Sequence, residues 1–106
     1  MDARRILVAN ELTSYRQTIA MVIREVHPNV EVFEADPKTL DREVARLRPD
    51  LVICSRVTPL VRDMVPNWVE LYPDCEPFST LCVGGDRRTM EDVQLSDLLS
   101  LCASHL

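Results

Sequence analysis

Short apolar runs alternating with stretches of helical rhythm constrain this chain more than any other feature. RILVAN (Arg5–Asn10), NVEVFEA (Asn29–Ala35) and DLVICS (Asp50–Ser55) are rich in β-branched and aliphatic residues. That composition suits strands buried on both faces. Between the first two runs, Ser14 and Gln17 have capping-box spacing, and Ile19, Val22, Ile23 and Val26 recur at helical intervals. This predicts an amphipathic helix stopped by Pro28. Between the second and third, Asp36-Pro37 sets a cap before a proline at the first helical position, and Leu40, Val44 and Leu47 form one apolar stripe ended by Pro49.

The second half continues the rhythm less regularly. A third helix is expected from about Leu60 to Tyr72, with Pro66 either kinking it or beginning it. FSTLCVGG (Phe78–Gly85) reads as a fourth strand, and Leu98, Leu99, Cys102, Ala103 and Leu106 mark one side of a final helix with Ser96 as its candidate cap. Alternation of this kind predicts a parallel sheet covered by helices on both faces. Only DRRTMEDVQL separates Gly85 from Ser96, too little for a crossover of about a dozen residues plus a parallel strand. TMEDV is therefore read as an irregular approach to the last helix, with a short antiparallel return strand as the alternative. Val93 alone would anchor that strand.

Composition excludes several function classes. A chain of 106 residues with 46% hydrophobic and 27% charged residues is read as one globular domain. Two glycines against seven prolines leave no glycine-rich phosphate cradle. A net charge of −5 with scattered arginines disfavours direct nucleic-acid binding. No segment reads as a signal peptide or a membrane span, so the chain is expected in the cytoplasm. The four cysteines (54, 75, 82 and 102) lack the spacing of a zinc site, and no metal or cofactor is expected. Cys54, Cys82 and Cys102 lie in apolar runs and are read as reduced core residues. Cys75 lies in a polar loop, where Asp74 and Glu76 disfavour a thiolate.

RILVANELTSYRQTIAMVI, VEVFEAD and RPDLVICSRVTP, in this order and spacing, with QLSDLLSLC near the end, resemble the receiver domain of bacterial two-component response regulators. The resemblance implies a single receiver-like domain over residues 1–106 with a flavodoxin-like three-layer α/β fold. Its mainly parallel sheet would have four strands in the order 2-1-3-4, with the fourth helix and the family's fifth strand missing or reduced. It also implies a pocket at the carboxyl ends of the strands. There the family uses an acidic pair for magnesium, an aspartate phosphoacceptor, a hydroxyl residue and a lysine.

Carried onto this chain, those positions read Asn10-Glu11, Ser55 and about Gly84, and no lysine follows Lys38. One carboxylate anchors magnesium weakly, and a serine hydroxyl needs a base that neither His27 nor His105 supplies. The implied site is thus a degenerate receiver pocket without catalytic residues.

Two further groups complete the reading. Arg56, Gly85 and Arg87 are candidate anion-binding residues at the strand ends, set against a plain turn with solvated arginines. Trp68 and Tyr72, four residues apart on the expected third helix, and Leu99 and Cys102 are candidate interface residues, set against core packing. Cys54 and Cys82 are expected on neighbouring strands. The resulting expectation is a phosphorylation-independent pseudo-receiver that contacts a protein partner, as a homodimer through the truncated side. The alternative is a small-anion or metabolite sensor.

Overall fold

The computed structural model describes residues 4–71, 78–91 and 93–105. β1 (Arg5–Ala9), β2 (Glu31–Glu34) and β3 (Leu51–Cys54) form at the three apolar runs. Helix α1 (Thr13–Val26) joins the first two, and a 3-10 turn (Pro37–Thr39) followed by α2 (Leu40–Leu47) joins the second to the third. Asp36 caps the 3-10 turn by accepting from the Lys38 amide, as the Asp-Pro pair predicts. The capping box at Ser14 does not form. Helix α1 begins at Thr13, and its N-cap Leu12 makes no side-chain bond.

The fold departs from the expected one after β3. Thr58 caps α3 (Pro59–Met64), a helix of six residues, by accepting from the Val61 amide. Val65 turns extended before Pro66, because the proline ring crowds a helical residue ahead of it. Asn67–Glu70 then forms β4 rather than continuing the helix, parallel to β3. The apolar spacing across Pro66 belongs to two elements: Val61 and Val65 face one core from α3 and its end, while Trp68 reaches the same core from β4.

β5 (Phe78–Val83) runs antiparallel to β4, and β6 (Asp86–Glu91) returns antiparallel to β5. The sheet is therefore six-stranded and mixed, in the order β2-β1-β3-β4-β5-β6. This overturns the four-strand parallel, flavodoxin-like sheet expected from the sequence. Gly84 and Gly85 both take positive φ, +59° and +92°, which a two-residue type I′ hairpin turn demands of both its central positions. That turn lets a strand form where a parallel crossover has no room. Helix α4 (Leu95–His105) closes the chain. Asp97 reaches back to accept from the Gln94 amide, in place of the cap expected from Ser96.

Two cores flank the sheet. On one side α1 and α4 pack Ile19, Ile23, Leu98 and Leu101 on Ile6, Val8, Ile53 and Val69. On the other, α2 and α3 pack Val44, Leu47, Val61 and Val65 on Leu7, Val52 and Trp68. The helix after β1 and the helices after β2 and β3 thus lie on opposite faces, as right-handed crossovers leaving β1 and β2 in opposite directions require. No helix among the described residues is long and apolar enough to cross a membrane.

Candidate functional site

The carboxyl ends of β1 and β3 and the loops that follow them surround a cavity of about 280 Å³ lined by Glu11, Pro37, Leu40, Ser55, Arg56 and Thr58. It lies where the strand order turns from β1 towards β2 on one side and β3 on the other, the usual binding crevice of an open α/β sheet. Of the expected pocket, Glu11 and Ser55 meet here: Ser55 Oγ accepts the Glu11 amide at 2.9 Å. Asn10, next in the chain, is 2% exposed, and its Oδ1 has no hydrogen-bond partner among the described residues.

The loop after β3, Ser55–Thr58, is held from three directions. Ser55 ties it to the loop after β1. The Val57 amide donates to Glu70 Oε2 at 2.8 Å, and the Thr58 hydroxyl donates to Asp41 Oδ1 at 2.6 Å. Arg16 fastens the neighbouring rim by donating to the carbonyls of Asn10 and Ala35. The hydroxyls and carboxylates in these bonds fix loops. A Ser55 oxygen that already accepts an amide has one lone pair fewer for attack.

Glu70 and Asp41 were not legible as site residues. Glu70 reads as part of a helix until β4 is recognised, and Asp41 sits in the first turn of α2 with no motif around it. A carboxylate four residues after Pro66, at the end of a short β-branched and aromatic run, is the signal that could have placed Glu70.

Gly84 does not join this pocket. Because β5 is antiparallel, Val83 pairs with Asn67 at the amino end of β4, so Gly84 and Gly85 lie at the opposite end of the sheet from Ser55. The Gly84 amide donates to Asn67 Oδ1 at 3.1 Å. Arg56 is consequently separated from Gly85 and Arg87, and the three do not form one anion site. The Arg87 guanidinium instead lies over the Trp68 ring, 5.7 Å from its centroid.

The candidate interface residues also separate. Trp68 lies in β4, not on a helix, and is 3% exposed. Tyr72, like Cys75, lies outside the described residues. Cys102 is buried on α4 beneath the sheet, and Leu99 is partly buried beside it, its carbonyl within 3.2 Å of His27 Nε2. Cys54 and Cys82 do not sit on neighbouring strands, since β4 runs between β3 and β5.

Burial pushes the Cys54 thiol up to about 12, the Glu70 carboxylate adds to the rise, and a bond from the Arg56 backbone opposes it. Burial likewise raises Cys102 to about 11. Neither thiol is a nucleophile at neutral pH. Among the described residues, no three His, Cys, Asp or Glu side chains converge as a metal site would require. No family model and no curated protein matches this chain.

Proposed function

We propose that this chain is a phosphorylation-independent signalling module of the cytoplasm, receiver-like in its first three strands, that acts by protein–protein contact and self-association. The observation that carries this reading is the Ser55–Glu11 bond. At the end of β3, where the family it resembles presents a phosphoacceptor, the side chain serves as an acceptor that fastens two loops. The bonds from Val57 to Glu70 and from Thr58 to Asp41 reinforce the same static arrangement. A pocket so pinned lends itself to holding a shape rather than switching it, because a switch needs two arrangements of similar energy.

Incubation with acetyl phosphate and magnesium, followed by intact-mass measurement, tests this directly. The expected result is an unmodified chain. A phosphate on Ser55 would overturn the reading.

The cavity supports a second reading, an anion or metabolite sensor, because Arg56 lines it. Glu11 lines the same mouth and opposes a bound anion, which favours the contact reading. In a thermal-shift series with phosphates and nucleotides, no stabilisation is expected. A saturable shift lost in Arg56→Ala would favour the sensor.

A further inference from the structure

The six-stranded sheet has two edges, β2 and β6. The two-residue turn makes Val83 and Asp86 a hydrogen-bonded pair, so the pairs through Arg88 and Met90 are also hydrogen-bonded. The backbone groups of Arg87, Thr89 and Glu91 therefore point away from β5. The strand is exposed along its length except at Met90, which is partly covered. Three outward residues at a period of two form a template for another strand.

Side-chain order selects the partner. An antiparallel copy that hydrogen-bonds these groups with its two-fold axis at Thr89 places Arg87 opposite the second copy's Glu91, Glu91 opposite its Arg87, and Thr89 opposite Thr89, and to reach Glu91 the Arg87 guanidinium leaves the Trp68 ring. Opposite-charge and Thr–Thr pairs are among the favourable cross-strand combinations. Sliding the copy by two residues puts the axis at Arg88 and sets Arg88 against Arg88, a like-charge clash. The sequence thus favours the Thr89-centred register over the Arg88-centred one. Asp86 and Glu91 balance Arg87 and Arg88, so the edge is locally neutral in a chain of net charge −5. On the reverse face, that register sets the Arg88 stem against Met90 of the copy, beside a cavity of about 170 Å³ lined by Leu81, Val83, Asp86, Arg88, Met90 and Leu101.

Taking the contact-module reading as its basis, we infer that this protein forms a two-fold dimer by antiparallel pairing of β6 with β6 of a second copy. The two sheets become one, in the Arg87–Glu91 register. An edge contact of this kind falls in the small class of interfaces, below about 1,200 Å² in total, so the dimer should be weak and concentration-dependent.

Sedimentation equilibrium over a wide concentration range provides the test, with five chains compared. The unaltered protein should dimerise. Arg87→Glu alone and Glu91→Arg alone should each weaken dimerisation about tenfold or more by setting like charges opposite. The combined Arg87→Glu/Glu91→Arg chain should recover to within about threefold, since the pairs re-form with their signs exchanged. Thr89→Pro should also abolish the dimer by removing an outward amide that β5 does not use, and circular dichroism would check that it folds. If it does not, the charge-exchange set decides alone.

A monomer at every concentration, or a dimer indifferent to these changes, would overturn the edge assignment. Phosphorylation of Ser55 would instead overturn the contact-module reading, so the two failures are distinguishable.

Discussion

The two edges of the sheet meet the same hazard by different means. β2 is four residues long and carries Glu31 and Glu34. The amides of Glu31 and Ala35 bond to the β1 side, so the Val32 carbonyl faces outward, and there Arg24 donates to it at 2.7 Å. Arg24 also pairs with Glu34, and Arg5 with Glu31. A second β2 would meet carboxylates of its own sign and a carbonyl already taken. β6 is six residues long and carries both signs, with Arg87 and Arg88 between Asp86 and Glu91. The difference teaches that an edge is protected by what its outward groups already hold and by sign, rather than by charge as such.

The largest effect should come from weakening a central strand between these two edges. Ile53 is fully buried in β3, and Ile53→Ala should lower stability by about 2–5 kcal/mol through lost burial and a residual cavity. Thr89→Ala on the β6 edge should stay within about 0.5 kcal/mol. Urea unfolding of both variants would measure the contrast.

The hairpin that creates the β6 edge should be next in sensitivity. A Cβ at Gly84 would meet nothing within 4 Å, so Gly84→Ala is penalised only by its φ of +59°. The expected loss is about 1–2 kcal/mol, read by the same unfolding curves, with weaker dimerisation as the hairpin loosens.

The parallel half was legible because its signals are local. Each strand is a continuous apolar run, and Pro28, Asp36-Pro37 and Pro49 punctuate the helices between them. The antiparallel half was hidden by two coincidences. Val61, Val65, Trp68 and Val69 keep a helical interval although a strand begins after Pro66, and a short apolar segment does not by itself distinguish the two. DRRTME has almost no apolar alternation, because β6 is an exposed edge. The decisive mark was Gly84-Gly85 between FSTLCV and that run, a two-residue hairpin signal. Once β5 turned antiparallel, Gly84 left the pocket, and once β4 replaced the helix, Glu70 reached the Val57 amide in the loop beside it. Glu11 and Ser55 remained because both follow strands that the apolar pattern had already placed.

A smaller effect is expected at the pocket itself. Ser55→Ala removes the bond from the Glu11 amide, and since Glu11 is exposed, water can replace it. The loss should be about 0.5–1 kcal/mol by urea unfolding, and dimerisation should be unchanged because β6 lies three strands away from β3.

The effect that vanishes at neutral pH is a pH dependence. The Cys54 thiol titrates at about 12 in the fold and Cys102 at about 11, both raised by burial. Their contribution to stability is full below the ordinary thiol range. It is lost as pH rises through that range towards the folded values, because the unfolded chain releases its thiol protons first. Unfolding midpoints at successive alkaline pH values should fall, and Cys54→Ala should flatten part of that slope.

Hydrogen–deuterium exchange of the unaltered protein, dilute and concentrated, tests most directly the claim that contact occurs at β6 and not at the pinned pocket. Raising the concentration should protect the amides of Arg87, Thr89 and Glu91 while leaving Glu11 and residues 55–58 unchanged. Protection that appears at the pocket loops instead, or nowhere, would contradict it.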